Sequence, residues 1–570
     1  MDLTPRQRLI FWILTVLCAV SRFMAMARSM WDWDEALFCL GMREYDVTRH
    51  HPHPPGFPVY IGMAKIVRLV VPSDFRALQL VNLIAGVLVF PAIFLLAREL
   101  RLRFETSIIA AALFAFLPNV WFFGGTAFSD IPSIVLVVFA VVFLLRGRNS
   151  RRDYWLGTFL LALSIGIRPQ NVLVGLFPGA LATMRRSWRE VTVAILIGVL
   201  VVGISFGAAI YATGSIHDYM TTVRAHGDYI ARIDSFRAPE RPPLWRLFDR
   251  FFLKQYQSPP LSVVMSIFVA ISIAGAIVVR DRAMLYNFLI FGPFAISAWL
   301  MLDRFSINRF SIGYAPMFAI FAADGIARVS RGNRLIETGI GAAIVAAFFI
   351  WTAPALPPVR RDVAPSVRAV DAALQTTGQL FVGYSMTPFI EYLAPQRAIT
   401  RVMDDRAVPL TIADHPILLA EVSEPQPGGT LFTRERDRLW NIARRHYFEV
   451  VLRPLTNIGQ FGEGWSPPEQ QGMDEWRWMG SHSVTTLPRA QGDTVLRLHF
   501  VVPTEIVSKQ PNVTVTLNGK TLDRFRATEE FISRDYHVTP AMEPNVLELS
   551  TDQTLDKRGL KVRFISWGPG

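Results

Sequence analysis

Residues 31–60 carry titratable side chains at a density that a plain connecting loop does not need. Asp32, Asp34, Glu35, Glu44 and Asp46 are followed by His50, His51 and His53, set among Pro52, Pro54, Pro55, Gly56 and Pro58. Three carboxylates within four residues repel one another and raise at least one pKa unless a cation sits among them. A carboxylate at a bilayer surface can take the proton of an acceptor hydroxyl while that hydroxyl attacks a sugar carbon. Asp34 and Glu35 are therefore candidate catalytic residues. They could equally cap an interfacial helix or pair with Arg28. Trp31 and Trp33 offer sugar-stacking faces, or an aromatic belt at the membrane interface. His50, His51 and His53 could contact a phosphate, act as bases, ligate a metal or fill hydrogen-bonding roles. Their spacing matches no closed zinc site, and no Cys partners accompany them.

Two further sets belong to the same chemistry. Asp130 stands in the run Thr126-Ala127-Phe128-Ser129-Asp130-Ile131-Pro132 at the mouth of an apolar segment. A charge there is costly unless it faces a cavity or a partner, and an N-cap is the plainer reading. Arg168, Arg304 and Arg309 are predicted on the outer face, against the usual bias of basic residues. An anion at the bilayer surface would explain them, and a lipid-linked phosphate fits because guanidinium binds its oxygens bidentately. Pairing with Asp130, Asp303 or lipid headgroups is the alternative. No GxxxxGK[ST] or dinucleotide fingerprint occurs, so nucleotide-driven chemistry has no support.

The elements that must hold these residues follow from composition. Hydrophobic residues make up 51% of 570 and charged residues 18%, and the net charge of +12 falls largely in short loops between apolar runs. That placement marks a cytoplasmic membrane face rather than a nucleic-acid surface. Cys18 and Cys39, the two cysteines, give no disulfide framework. The first apolar run lacks a small-residue cleavage site and reads as a retained helix.

Spanning needs about 20 apolar residues, which places residues 59–71 along the interface with Lys65 and Arg68 snorkelling. About eleven transmembrane helices then follow: 9–28, 77–97, 106–123, 131–145, the short pair 154–167 and 170–183, 191–212, 261–279, 285–302, 310–327 and 335–353. With that count the clusters around Arg98, Arg146, Arg185, Arg280 and Arg328 share one side with Arg6 and Arg8. The acidic loop, Asp130 and the three arginines lie on the other.

The expected fold is a polytopic α-helical membrane domain over 1–353, a small extracytoplasmic α/β segment over 354–439, and a jelly-roll-like β-sandwich over 440–570. The last rests on alternation in 495–502, 513–517 and 547–549, with a hairpin signal at Asn518-Gly519.

Asp34-Glu35, then His53-Pro54-Pro55-Gly56, an interfacial stretch, Arg76 and Arg98 together resemble the GT-C superfamily of membrane glycosyltransferases. The likeness is to the protein O-mannosyltransferase and aminoarabinose-transferase branch. Ser129-Asp130-Ile131-Pro132 resembles the second acidic position of these enzymes, and Arg309-Phe310 with Tyr314 and Pro316 resembles their Arg-Tyr…Pro element. The resemblance covers about residues 1–350. It implies inverting transfer of a monosaccharide from a polyprenyl-phosphate carrier to a hydroxyl of a protein, lipid or envelope glycan at the periplasmic face.

By that resemblance Asp34 is the base or orients the acceptor, Asp130 organises the donor or a divalent metal, and Arg309 meets the donor phosphate. Asp34 and Asp130 are the residues a metal would use, and His51, His53, Arg168, Arg304, Trp33 and Tyr314 complete the substrate-binding set. No cofactor is certain. Gly56-Phe57-Pro58 departs from the pattern of both groups and leaves the acceptor open.

The setting so implied is a bacterial inner membrane with a cytoplasmic N-terminus and a periplasmic C-terminal domain. Membrane lipids and the lipid-linked donor are the expected partners, and nucleic acid is not. The competing classes are a lipid-linked glycan flippase, which would need repeated halves and polar groups along a path, and a non-catalytic scaffold for envelope polysaccharide assembly. Trp465, Trp476 and Trp478 ahead of the strands could bind glycan or fill a sandwich core.

Overall fold

A computed structural model describes residues 3–233, 235–236, 243–301, 307–411, 415–422, 428–434, 449–471, 474–490, 492–541 and 543–569. Arg304, one of the expected phosphate contacts, lies outside them. The chain forms two compact units, one over residues 3–364 and the other from Pro365 onward.

The first unit is helical. Its helices are α1 (Pro5–Arg22), α2 (Trp33–Arg43), α3 (Pro58–Arg68), α4 (Asp74–Glu99), α5 (Phe104–Ala115), α6 (Pro118–Phe123), α7 (Asp130–Arg146), α8 (Arg151–Ile167) and α9 (Val172–Thr183). Then come α10 (Trp188–Thr213), α11 (Ile216–Ile233), α12 (Leu244–Phe248), α13 (Pro259–Val279), α14 (Arg282–Met301), α15 (Ile307–Phe310), α16 (Ala315–Val329) and α17 (Arg334–Thr352).

Among the described residues six helices are long and apolar enough to cross a membrane: Pro5–Ala25, Asp74–Glu99, Trp188–Thr213, Pro259–Val279, Arg282–Leu300 and Arg334–Ala373. The protein is a multi-pass membrane protein. The other five expected spans fall on shorter helices, so the count of eleven is not reached by length and apolarity. Span 106–123 breaks in two because Pro118 cannot donate an amide to the turn before it. Span 310–327 starts later, at Ala315, because residues 307–313 form the short α15 and a 3-10 turn. The interfacial segment is an 11-residue helix, α3, too short to cross.

Burial sorts these helices. In α5 and α7 most side chains are buried, whereas Ile195, Leu196, Val199, Leu200 and Ile204 of α10 are exposed. An apolar helix left uncovered by protein is the form a lipid-facing helix takes. The centre is tied by polar contacts as well. Gln79 donates to the carbonyls of Ala27 and Gly125, and Asn82 to those of Phe123 and Thr126.

In the second unit the helices Pro365–Ala373 and Thr387–Leu393 accompany a five-stranded sheet. These are β1 (Leu380–Gly383), β2 (Ile399–Val402), β4 (Ile417–Glu421), β5 (Thr430–Thr433) and β6 (Glu449–Pro454), ordered β2-β1-β4-β6-β5, with β3 (Ala407–Val408) standing outside this sheet. The pairs β1–β2 and β1–β4 are parallel. The expected boundary at 439/440 lies outside the described residues, and β6 beyond it completes the α/β sheet.

The strands that follow are β7 (Gln460–Phe461), β8 (Glu469–Gln471), β9 (Asp474–Trp478), β10 (His482–Leu487), β11 (Thr494–Val501), β12 (Asn512–Leu517), β13 (Lys520–Arg526), β14 (Phe531–Val538), β15 (Asn545–Thr551) and β16 (Lys561–Pro569). They form two sheets, β13-β12-β15-β10-β7 and β14-β11-β16-β9-β8, with β3 added to β16. Leu496, Leu498, Phe500, Val513, Val515, Leu547, Leu549 and Val562 fill the core between them, as period-two alternation requires.

The three tryptophans are engaged within this unit. Trp476 and Trp478 donate to Glu469, and the Lys561 ammonium covers both rings at 4.3 and 4.9 Å. Trp465 donates to the Val484 carbonyl and packs on the core.

Candidate active site

The local structure around residues 31–60 is set by caps and turns. Asp32 and Glu35 make a capping box at the start of α2, in which the Asp32 carboxylate accepts from the Asp34 amide and the Glu35 carboxylate accepts from the Asp32 amide. After α2 the backbone doubles back, with Asp46 and His51 exchanging two hydrogen bonds. A turn closes from the Gly56 amide to the His53 carbonyl at 3.0 Å. Gly56 has φ +98°, and a Cβ there would lie 2.3 Å from the Tyr45 hydroxyl, so only glycine fits. This turn points the His53 ring back toward α2.

Four sequence-distant segments then meet. Asp34, on the first turn of α2, pairs with Arg309 of α15 at 2.6 Å. The same guanidinium reaches Asp130, the first residue of α7, at 3.6 Å. Asp130 in turn pairs with Arg168, the C-cap of α8, at 2.8 Å. His53 Nδ1 lies 3.8 Å from Asp34. The four charged groups are under a tenth exposed, so each desolvated charge needs the partner it has.

Aromatic faces complete their packing. Arg309 lies over Phe128 and Phe310, and Arg168 over Phe57 and Phe310, which places Phe310 against both cations. Beside them a narrow cleft is lined by Asp130, Ser133, Arg168, Asn171 and Phe310, among others.

The cap reading of the Ser129-Asp130 pair is only half met. Ser129 sits at the N-cap position without capping through its side chain. Its hydroxyl accepts from Arg168 Nε at 3.1 Å instead.

Electrostatics separate the titratable groups. Burial pushes the Glu35 carboxyl up to about 8, opposed by the amides of Ala127, Trp31 and Asp32 and reinforced by the Asp32 charge. Burial drives His53 down to about 3, with Asp34 opposing and Arg309, His226 and His50 adding to the shift. His50 falls to about 4, again through burial first and then His226 and His51. The His53 ring is therefore neutral at physiological pH, and able to accept or donate a hydrogen bond.

The structure thus brings Asp34, Asp130, Arg168, Arg309 and His53 together. The Glu35 carboxylate instead accepts from three backbone amides. His51 is buried in the doubled-back segment, with its backbone bonded to Asp46. Tyr314 stacks on Phe251 at 4.7 Å and packs near Phe318. Trp33 is the first residue of α2 and half-buried.

Sequence reasoning overlooked His226 of α11, whose ring lies 5.9 Å from that of His50 and 6.4 Å from that of His53. Phe57, Phe128 and Phe310 stood in the quoted motifs without a role of their own. Their place next to Pro58, two residues before Asp130 and next to Arg309 was the available signal for the three rings, while nothing local marks His226.

Arg28, an alternative partner for the acidic pair, donates to the Arg361 carbonyl. Among the described residues no group of three His, Cys, Asp or Glu could hold a metal ion. Asp34 and Asp130 each face a guanidinium.

Residues 50–211 match the family described as dolichyl-phosphate-mannose-protein mannosyltransferase. The chain resembles GT-C membrane glycosyltransferases. Solved structures that match part of the chain include ArnT from Cupriavidus metallidurans bound to undecaprenyl phosphate, at 13% identity and TM-score 0.45, covering 78% of this chain and 97% of that one. The Archaeoglobus fulgidus oligosaccharyltransferase in complex with Zn and sulfate matches at 13% identity and TM-score 0.43, over 67% of this chain and 61% of its own. This chain therefore spans less than two thirds of that oligosaccharyltransferase. The S. cerevisiae Pmt1-Pmt2 complex bound to its sugar donor matches at 15% identity and TM-score 0.30, over 39% of this chain and 35% of that one. No curated protein sequence matches.

Proposed function

We propose that the protein transfers a monosaccharide from a polyprenyl-phosphate carrier to an acceptor hydroxyl at the periplasmic side of a bacterial inner membrane, its N-terminus being cytoplasmic. The observation that carries this reading is the chain of contacts Asp34–Arg309–Asp130–Arg168 at one end of the helical bundle. The family match over residues 50–211 supports the reaction class.

In this reading the acceptor oxygen attacks the anomeric carbon, the bond from that carbon to the phosphate oxygen breaks, and the acceptor proton passes to Asp34. Inversion follows from a single displacement. Arg309 couples the two halves of the step. Once Asp34 is protonated its hold on the guanidinium weakens, and the positive charge turns toward the phosphate that is gaining charge. Asp130 keeps Arg168 and Arg309 oriented. His53, neutral and beside Asp34, orients the acceptor hydroxyl. No step runs through a metal.

An apolar groove of about 790 Å³ between α12, α13, α14 and α16 suits the carrier's isoprenoid chain. Its Phe251 and Phe318 also pack on Tyr314, five residues after Arg309. Apolar lining with few polar groups is what an alkyl-like ligand requires.

The test is release of undecaprenyl phosphate from undecaprenyl-phosphate mannose, the probe donor, by full-length protein in vesicles with envelope extract as acceptor. Asp34→Asn is expected to lower turnover by about 10²- to 10⁴-fold, the range of a lost general base, while leaving the protein folded. Wild-type turnover in that variant would remove Asp34 from the chemistry.

A further inference from the structure

Glu35 is fully buried and binds backbone on both sides of the site. Its Oε2 accepts from the Trp31 and Asp32 amides at 2.6 and 3.1 Å, and its Oε1 accepts from the Ala127 amide at 2.8 Å. Residues 31 and 32 lead into Asp34. Ala127 lies three residues before Asp130. The carboxyl group is thus one rigid link between the two carboxylate-bearing segments.

Other contacts set the same two segments against each other. The Ala27 amide donates to the Gly125 carbonyl at 3.0 Å. A Cβ on Gly125 would fall 1.9 Å from the Ala25 carbonyl oxygen, so the backbones approach as closely as glycine allows. Gln79 and Asn82 hold the Gly125 and Thr126 carbonyls from α4. Of these ties it is Glu35 that reaches Trp31 and Asp32, three and two residues before Asp34.

We propose that Glu35 is a positioning residue that sets the separation of Asp34 and Asp130 and makes no contact with the reacting atoms. The proposal rests on the glycosyl-transfer reading for its effect on rate. A misplacement of about 1 Å costs up to about 10²-fold in turnover. A carboxyl group can accept on both oxygens, since the hydroxyl oxygen of its protonated form keeps a lone pair, and an amide nitrogen has no lone pair for that purpose. Glu35→Gln keeps the volume and breaks one side of the link.

The experiment compares wild type, Glu35→Gln and Asp34→Asn at full length in lipid nanodiscs, with undecaprenyl-phosphate mannose as probe. Glu35→Gln is expected to lower kcat by about 10- to 100-fold and leave KM within about threefold. Amide hydrogen exchange at residues 124–130 is expected to speed by about tenfold, since the Ala127 amide loses its acceptor.

Unchanged kcat overturns the proposal, as does unchanged exchange at Ala127. Loss to the level of Asp34→Asn also overturns it, by placing Glu35 in the proton transfer itself. If Glu35→Gln does not fold, Glu35→Asp, with both acceptor oxygens but a shorter reach, is read by the same kcat-to-KM split. Should the wild type release no carrier, the transfer reading fails, while the exchange measurement still decides whether Glu35 joins the segments.

Discussion

Arg309 is shared between Asp34 and Asp130, with Nη1 2.6 Å from one carboxylate and Nε 3.6 Å from the other. A single guanidinium thereby faces both the group proposed to take the acceptor proton and the group proposed to order the donor. Arg168 pairs with Asp130 at 2.8 Å. On the proposed reaction, Arg309 is the residue that can turn its charge from a carboxylate to the leaving phosphate, and Arg168 is the one that stays paired with Asp130.

Breaking the shorter of Asp130's two ion pairs should cost stability as well as rate. Arg168→Met leaves Asp130 with the longer Arg309 contact alone, and losing one member of a buried pair typically costs about 3–5 kcal/mol. Adding Asp130→Asn to it should recover part of that loss, because the uncompensated charge is removed. Thermal unfolding of the single and double variants in detergent checks this. Strictly additive losses would show that the two side chains are not coupled.

Stability should fall as pH rises above neutrality. Glu35 has its folded-state pKa raised from 4.5 to about 8, so the proton-bound form is favoured by folding. That contribution is complete below the unfolded value and is lost as pH rises through the folded one. His50 and His53, lowered from 6.5 to about 4 and 3, act oppositely. Their contribution is present above 6.5 and is lost as pH falls toward those values. Between pH 6.5 and 9 only the Glu35 effect has slope among these three. Wild-type Tm should therefore decline over that window and the Glu35→Gln Tm should stay level; parallel curves would contradict the assignment.

Filling the apolar groove should discriminate donors by chain length. Ala295 lines it on α14, and Ala295→Trp would exclude one or two isoprene units. At about 0.8 kcal/mol per buried CH₂, KM for an undecaprenyl donor should rise by at least about tenfold, with kcat little changed. A donor carrying two isoprene units should be unaffected. Equal KM values for the long donor in both proteins would place the tail elsewhere.

Chelation should leave turnover unchanged. The two carboxylates that a metal would need face Arg309 and Arg168, and a divalent cation would have to displace both. Assays with and without excess EDTA, on protein purified in chelator, check the point; a loss restored by Mg²⁺ or Mn²⁺ would require rearrangement of the whole cluster.

Much of this was legible in the order of residues alone. Long apolar runs demand helices because an unbonded backbone is intolerable in lipid, and the basic clusters between them separate the two ends of the bundle. That is enough to gather Asp34, Asp130, Arg168 and Arg309 at one end. Alternation in 513–517 and 547–549 likewise required a two-sided sheet, and both runs are strands of one sheet.

Partner choice was not legible, because which carboxylate meets which guanidinium depends on how helices pack, and periodicity reports only which face is apolar. Asp34 and Glu35 are neighbours with the same chemistry, yet helical geometry turns one toward Arg309 and the other back onto the Trp31, Asp32 and Ala127 amides. Tyr314 follows Arg309 closely in the chain but faces Phe251 and Phe318, since the turn at 311–313 rotates it away. The amino-acid order determined the helices and the end at which the charges collect; only the packing of α2, α7, α8 and α15 decided their pairing, because a side-chain contact between residues on different helices is a property of three-dimensional spacing.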